Sequence, residues 1–370
     1  MAKIGLIDND LVVKKRHNFP NLAIMKLSNY HKQKGDEVEL IGFNEINPNS
    51  LFGNNFDLIY VSKAFTNSET PDYIFKLDNV KKGGTGFYLD KAEPLFFEVE
   101  HTMPDYSIYD KILHTIKKKT FYTDYSIGFT TRGCFRHCSF CVNKNLNKVE
   151  LHSPIDEFYE PSKSKLALLD DNLLGLSNKK LFKIFDRLEE IGKPFQYRQG
   201  MDIRLLTEER IKKLLNFKYD GDYYFAFDIW EQKKYIEPKM KLFYENFMKK
   251  YPNRKSYINT KMFVFIGFDK TEKYNELFWI NEIETMFKRI EICFKYKMMP
   301  SVMHYYKCRQ SKYRKFFIEL IQWSNQPRNC GTHSLNSYIE TAKKKGLKEF
   351  RDKHPSLRKY FNLKLQNYQK

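Results

Sequence analysis

Residues 130–141 read TTRGCFRHCSFC and hold three of the six cysteines of this 370-residue chain. The three, Cys134, Cys138 and Cys141, are spaced C-x3-C-x2-C. Thiolates gathered in one short loop indicate a soft-metal or iron–sulfur site. Iron–sulfur clusters usually take four Cys ligands, and no fourth cysteine follows nearby. The loop therefore predicts a cluster with one iron open to a further ligand, as catalytic metal sites require.

Two alternatives remain open for this loop. One is a structural zinc site that uses His137, although zinc knuckles generally pair C-x2-C with a second, distant pair of ligands. The other is a set of three thiols that bind no metal.

The loop resembles the signature of the radical S-adenosylmethionine (SAM) superfamily. That resemblance implies a [4Fe-4S] cluster held by Cys134, Cys138 and Cys141, with the amino and carboxylate groups of SAM on the fourth iron. It places Phe140 near the adenine of SAM. It also implies reductive cleavage of SAM to methionine and a 5′-deoxyadenosyl radical, with an electron donor such as flavodoxin or ferredoxin as a partner.

The composition of the chain limits which classes of protein it can belong to. Hydrophobic residues make up 42% of the chain and aromatic residues 16%, which is enough for a sizeable core. No run of 18 or more apolar residues is present, so we expect no membrane span. The N-terminus reaches Asp8 too early for a signal-peptide core. Clustered cysteines also fit a reducing compartment, and we expect a cytoplasmic protein.

The formal net charge of +19 favours a nucleic-acid partner, because basic groups release counterions from phosphates. The alternative is a composition rich in Lys, Asn, Ile, Tyr and Phe, as expected from an AT-rich genome. The lysines are spread along the chain in short runs such as 117–119 and 343–345. Charge alone therefore does not decide between the two.

The fold class predicted from the pattern of segments is α/β. Strands at 3–8, 37–41 and 56–62, with a helix over 20–34, predict a Rossmann-like parallel sheet in residues 1–100. Residues 101–124 are predicted to be a linker. Residues 125–320 are predicted to form a radical SAM core, and residues 321–370 a helical tail that covers the open side of its barrel.

The first sheet is similar to the cobalamin-binding domain that precedes many radical SAM cores. The ligand pattern Asp-x-His-x-x-Gly of that domain is missing, since neither His17 nor His31 lies in it. We therefore expect no bound cobalamin. Ser62 at a strand end and the glycines of 83–86 keep the question open, with a tight turn as the alternative for the glycines.

Six β segments alternate with helices between 125 and 305, which fits an open, partial (β/α)6 TIM-type barrel of the kind the resemblance implies. The predicted strands are at 125–129, 165–169, 195–204, 223–228, 262–268 and 300–305. Helices are predicted over 178–191, 208–215 and 282–296.

Polar residues end these strands, where α/β folds place their ligands. The family contacts the SAM amino group at the second strand end, often with Gly-Gly-Glu, and this chain offers Asp170, Asp171 and Asn172 there. Their oxygens can accept hydrogen bonds from an ammonium group. The alternative is that Asp171 and Asn172 cap a helix.

The later strand ends supply the remaining candidates. Asp202 and Arg204 end the third strand, and the fork of Arg204 suits a SAM or substrate carboxylate. Asp228 is predicted to contact ribose hydroxyls or substrate. Gly267 falls where a family glycine lets the adenine lie against the backbone.

The other three cysteines, Cys293, Cys308 and Cys330, have no ligand-loop spacing, and we expect no second cluster.

The function predicted is a radical SAM enzyme whose substrate the sequence does not name. A nucleotide or nucleic acid is the first hypothesis for the substrate, and a peptide or metabolite is the next. The alternative is a zinc- or cluster-stabilised nucleic-acid-binding protein without catalysis.

Overall fold

The computed structural model describes residues 1–13, 19–46, 55–110, 123–255 and 257–365. Three features lie outside the described residues: His17, the lysine run 117–119 and half of the predicted linker, residues 111–122. The chain forms two compact units, Met1–Asp170 and Asp171–Lys370. This division differs from the domain limits expected at 100, 124 and 320, which stay predictions.

The first unit contains the predicted parallel sheet. Its strands are β1 (Lys3–Asp8), β2 (Glu37–Leu40), β3 (Leu58–Ser62) and β4 (Val80–Gly83), in the order β2-β1-β3-β4 with all pairs parallel. β4 is absent from the predicted strands because Val80 is its only large apolar residue.

The helix Leu22–Gln33 connects β1 to β2. It begins where the Asn21 side chain accepts from the backbone N–H of Ala23 at 3.1 Å. Its apolar side buries Ile24, Met25 and Leu27 against β1. The predicted helix 20–34 is therefore confirmed to within two residues at each end.

Two smaller pairs of strands complete the first unit. β5 (Tyr125–Gly128) and β8 (Lys165–Leu168) are parallel, as the predicted core strands require. β6 (Thr131–Arg132) and β7 (Glu150–Leu151) form a short antiparallel pair. Two-residue strands show no alternation of polarity, so the sequence pattern does not predict this pair.

The second unit contains β9 (Phe195–Tyr197), β10 (Tyr223–Ala226), β11 (Thr260–Ile266) and β12 (Met299–His304). β10, β11 and β12 form a parallel sheet in that order. The predicted strand 195–204 is wrong beyond Tyr197. Residues Ile203–Leu205 instead form a 3-10 turn, since the side chain of Asp202 accepts from the backbone N–H of Arg204.

Helices follow these strands. The helix Asn178–Ile191 has the predicted bounds, and Leu181, Ile184, Phe185 and Leu188 form its buried side. The helix Lys233–Lys250 is not predicted, because Pro238 within it reads as a helix breaker. The remaining α-helices of the second unit are Glu208–Asn216, Glu276–Lys295, Tyr306–Gln310, Arg314–Ser324, Pro327–Thr332, Leu335–Thr341 and Lys345–Lys353.

The C-terminal helices share one apolar core with β11, β12 and the helix Glu276–Lys295. Trp323 and Phe361 are fully buried in it. The mixed α/β fold with parallel sheets is therefore confirmed, whereas closure into a partial barrel stays a prediction. In the part of the chain that the structure describes, no helix has the length and apolarity needed to cross a bilayer.

Candidate functional site

The cysteine loop lies between the two strands of the short antiparallel pair. It starts at Gly133 directly after β6 and ends at Val149 directly before β7. Gly133 has a φ of 98°, and a Cβ atom there would lie 2.1 Å from the backbone oxygen of Lys148. Only glycine lets the two ends of the loop approach this closely.

The three thiols of the loop are half-buried. The backbone turns tightly between two of them, since the N–H of Cys141 donates to the carbonyl of Cys138 at 2.9 Å. The Cys141 sulfur accepts from the backbone N–H of Asn143 at 3.4 Å. As a donor set the three fit an iron–sulfur cluster. However, no three Cys, His, Asp or Glu side chains among the described residues are grouped closely enough to hold a metal ion.

Two other candidates of the loop, Phe140 and His137, lie beside the cysteines. Phe140 is half-buried. His137 has a φ of 50°, and its Nδ1 lies 2.8 Å from the carbonyl oxygen of Lys144. The contact with Lys144 uses one ring nitrogen of His137 to shape the loop.

Asp170 lies at the base of the cysteine loop. Its Oδ1 accepts from the hydroxyls of Thr130 at 2.7 Å and Thr131 at 2.6 Å, and from the backbone N–H of Thr131. Its Oδ2 is buried and has no hydrogen-bond partner among the residues that the structure describes. Burial raises the pKa of Asp170, against the hydrogen bonds from the two threonines. A buried acceptor without a donor is costly, so this oxygen is suited to a ligand that brings one.

A second charge, on the half-buried Glu100, also reaches this loop. The Glu100 carboxylate lies 2.9 Å from Nε2 of His152, 3.4 Å from Nζ of Lys26 and 3.9 Å from Nη2 of Arg132. Burial alone would raise the pKa of Glu100, but the hydrogen bond from His152 and the charges of Lys26 and Arg132 lower it to about 2. Glu100 is therefore ionised at any working pH.

In the second unit, Asp202 and Arg204 pair with each other. Nε of Arg204 lies 2.6 Å from Oδ1 of Asp202, and Nη2 lies 3.0 Å from Oδ2. Nη1 donates to the side-chain oxygen of Gln232 at 2.8 Å. The guanidinium fork, expected to hold a ligand carboxylate, thus holds a carboxylate of the protein in this structure.

Asp228 and Gly267 follow β10 and β11, and they belong to one hydrogen-bonded network. Oδ1 of Asp228 accepts from the backbone N–H of Phe265 at 3.0 Å. The N–H of Gly267 donates to Oε1 of Glu282 at 3.2 Å. Burial raises the pKa of Asp228 to about 6, against the hydrogen bond from Phe265 and the charges of Arg289 and Arg204.

Arg289 joins the two strand ends. Its Nη1 donates to the carbonyls of Asp228 at 2.6 Å and Phe265 at 2.9 Å, and its Nη2 lies 3.3 Å from Glu282. The side chain is fully buried in the helix Glu276–Lys295. Arg289 therefore donates to backbone carbonyls at the ends of both strands.

Gly267 has a φ of 78°, and a Cβ atom there would lie 2.2 Å from the sulfur of Cys308.

Asp171 is half-buried. Asn172 is buried ahead of the 3-10 turn Leu173–Gly175, where its side chain makes no capping hydrogen bond. The capping alternative for Asn172 is therefore wrong as far as its side chain is concerned.

The other three cysteines are core residues. Cys293, Cys308 and Cys330 are fully buried. Burial raises the pKa of the Cys308 and Cys330 thiols to about 12, and that of Cys293 also rises. Each is thus a neutral thiol that packs as a small apolar side chain.

Sequence reasoning missed Arg289, Glu282, Glu100 and His152. Arg289 had a local signal, because it falls on the buried side of its helix between Met286 and Cys293. Glu100 had none, since it meets His152 across 52 residues and Lys26 across 74.

One of the two histidines considered for cobalamin, His31, is engaged within the protein. Its Nδ1 lies 2.8 Å from Asp36 and its Nε2 lies 3.3 Å from the hydroxyl of Tyr60. The other, His17, lies outside the described residues.

No protein-family model matches the chain, and no curated protein matches it significantly. The chain is similar to two solved structures of the cobalamin-dependent S-adenosylmethionine radical enzyme OxsB. For the form with aqua-cobalamin bound, the TM-score is 0.35 at 13% identity, and for the apo, selenomethionine-labelled form it is 0.37 at 14%. Each match covers 82% of this chain and 49% of the other, so this chain spans about half the length of OxsB.

OxsB is a radical SAM enzyme, the class that the cysteine loop of this chain resembles. Its dependence on cobalamin gives no support to the expectation that this chain binds none. Because TM-scores below 0.5 mark a distant likeness, the function proposed below rests on the residues of this chain.

Proposed function

We propose that this protein is a radical SAM enzyme. The observation that carries the proposal is the C-x3-C-x2-C loop, which follows the C-terminal end of the parallel strand β5 between the paired strands β6 and β7. Cys134, Cys138 and Cys141 are the residues that would hold a [4Fe-4S] cluster. With SAM bound, that cluster would supply a 5′-deoxyadenosyl radical.

The residues of the chain would bind and orient SAM. Oδ2 of Asp170, which has no partner in the described part of the chain, is the acceptor we assign to the SAM ammonium group, since a charged donor would satisfy this buried oxygen. We assign Asp228 to the ribose hydroxyls and the backbone at Gly267 to the adenine. Asp202 would orient Arg204 for a carboxylate of SAM or of the substrate, with Asp171, Asn172 and Phe140 as further contacts.

The six cysteines provide the test. We expect Ser in place of Cys134, Cys138 or Cys141 to abolish both bound iron and formation of 5′-deoxyadenosine, because serine replaces a soft ligand with a hard one. Ser in place of Cys293, Cys308 or Cys330 should leave both largely intact. The measurement is iron per chain and 5′-deoxyadenosine yield after anaerobic reconstitution, chemical reduction and addition of SAM.

Undiminished SAM cleavage by Cys138→Ser would overturn the assignment. Colourless protein with stoichiometric zinc would favour the metal-stabilised binding protein instead. Loss of half the iron in Cys308→Ser, with folding retained, would reveal a second cluster.

For the substrate we propose a nucleotide or nucleic acid, on the basis of 64 basic against 45 acidic residues. Affinity for tRNA that falls steeply with salt would support a nucleic acid. Absence of binding at low salt would point to a metabolite or peptide.

A further inference from the structure

The cysteine loop depends on a base that is weak by itself. β6 and β7 pair through only two residues each, Thr131 with Leu151 and Arg132 with Glu150. Isolated two-stranded pairs are marginal in water even when they are longer. Something outside the pair must therefore hold its two strands together if the three cysteines are to keep a fixed spacing.

Glu100 contacts both sides of this base. Arg132 belongs to β6, and His152 directly follows β7. One carboxylate oxygen, Oε1 of Glu100, lies 2.9 Å from Nε2 of His152 and 3.9 Å from Nη2 of Arg132. The backbone adds two bonds between the same two sides, from the N–H of His152 to the carbonyl of Thr130 at 2.9 Å and from the N–H of Ser153 to the carbonyl of Phe129 at 3.3 Å.

The other end of this contact lies in the first sheet. Nζ of Lys26, in the helix Leu22–Gln33, lies 3.4 Å from the same Glu100 oxygen and also donates to the Glu100 carbonyl. The whole Lys26 residue is only 4% exposed, so its charge has little access to water. A buried ammonium group requires its counter-ion, which makes this contact hard to break.

A neighbouring pair extends the network. Nδ1 of His101, the residue after Glu100, lies 2.8 Å from Glu157, and the ring of His101 lies 5.2 Å from the ring of His152. His152 is thus held from two directions. Its position is set by the packing around it and not by the short strand that precedes it.

We infer that Glu100 is a positioning residue for the cysteine loop. Through His152 it fixes the β7 end of the loop to the helix Leu22–Gln33 of the first sheet, and it makes a weaker, exposed contact with Arg132 at the β6 end. This deepens the proposed function, because the loop that Glu100 fastens is the one proposed to carry the cluster. It also gives the first sheet a role in cluster binding that needs no ligand of its own.

The test compares Glu100→Gln with Asp105→Asn in the full-length, iron-free protein. Asp105 is a matched control, because it is a largely buried carboxylate that bonds Ser28 and Lys32 of the same helix and does not touch the cysteine loop. The measurement is amide hydrogen exchange of peptides that cover residues 130–153. We expect exchange to rise at least about fivefold in Glu100→Gln and to stay within about twofold of wild type in Asp105→Asn.

A second variant covers the case in which Glu100→Gln does not fold. His152→Ala leaves the Lys26–Glu100 pair in place, and we expect it to raise exchange of the same peptides by a smaller factor. Wild-type exchange in both Glu100→Gln and His152→Ala, or an equal rise in Asp105→Asn, would overturn the inference. None of these outcomes depends on a bound cluster, so they are distinct from failure of the SAM-cleavage test.

Discussion

The two units each contain a buried charge network, and the two networks are opposite in sign. In the first, one carboxylate, Glu100, faces the cations Lys26 and Arg132 together with His152. In the second, one guanidinium, Arg289, faces the carboxylates of Glu282 and Asp228. The pKa of Glu100 falls to about 2, whereas that of Asp228 rises to about 6.

The difference shows what decides the charge of a buried acid. Burial opposes ionisation in both networks. Glu100 has three nitrogen partners on its carboxylate, and their combined effect exceeds that of burial. Asp228 accepts one backbone hydrogen bond on its carboxylate, while Nη1 of Arg289 donates to backbone carbonyls. The first network therefore has a fixed charge, and the second contains an acid that titrates near neutral pH.

The largest effect we expect comes from removing the central cation of the second network. Arg289→Met would remove a buried donor from carbonyls at the ends of β10 and β11 and the counter-ion from Glu282. Loss of one partner from a buried pair costs about 3–5 kcal/mol of unfolding free energy. All three tryptophans lie in residues 171–370, so urea unfolding followed by tryptophan fluorescence reports on this unit.

Arg187→Met is the matched control for that experiment, because Arg187 pairs with Glu190 on an exposed helix surface. We expect its unfolding free energy to stay within about 0.5 kcal/mol of wild type. Equal losses in the two variants would mean that the buried network has no special role in holding the strand ends.

The parts of this structure that could be read from the sequence are those set by local pattern. The helix Asn178–Ile191 has an apolar stripe and a glycine at its end, Gly192, which takes a φ of 68°. The cysteine spacing and the polar strand ends are local as well. Arg289 and Glu100 act through contacts with distant residues, and no periodicity in one sequence reveals which distant residues meet.

The ends of the predicted strands show the same limit of prediction from local sequence pattern. Asp202 is predicted as a site residue because it falls at the end of the predicted strand 195–204. The strand stops at Tyr197, and Asp202 instead starts a 3-10 turn and pairs with Arg204. A short polar side chain that bonds its own neighbouring backbone competes with strand pairing. Local chemistry therefore identified the residue without identifying its partner.

The next effect in size is on the pH dependence of stability, which should differ between the two networks. The folded-state pKa of Asp228, about 6, lies above its ordinary value of 3.8. Folding then binds a proton more tightly, and the contribution of Asp228 to stability falls as pH rises from about 4 to 6. The pKa of Glu100 is lowered, so its contribution is present above about pH 4.5 and is lost as pH falls toward 2.

Asp228→Asn should therefore gain stability relative to wild type between pH 4 and 6, by about 2 kcal/mol, and level off above that range. Tryptophan fluorescence in urea across this pH range measures the difference. The relative cost of Glu100→Gln should stay constant from pH 5 to 8, as followed by hydrogen exchange of residues 130–153. Parallel pH curves for Asp228→Asn and wild type would show that this acid is not buried enough to titrate near neutral pH.

The smallest effect we expect is that of the exposed member of the first network. The Arg132 side chain is 43% exposed and lies 3.9 Å from Glu100, beyond hydrogen-bond distance, while its guanidinium carbon lies 3.6 Å from the centre of the Phe129 ring. Exposed ion pairs and cation–π contacts are each worth about 1 kcal/mol or less. Arg132→Gln should therefore raise hydrogen exchange of residues 130–153 by less than His152→Ala does. Added salt should reduce the difference in exchange between Arg132→Gln and wild type, since screening acts on exposed pairs. If exchange rose as much in Arg132→Gln as in His152→Ala, exposed and buried contacts would hold the loop equally. Burial of the Lys26–Glu100–His152 contact would then not be what fixes the position of the cysteines.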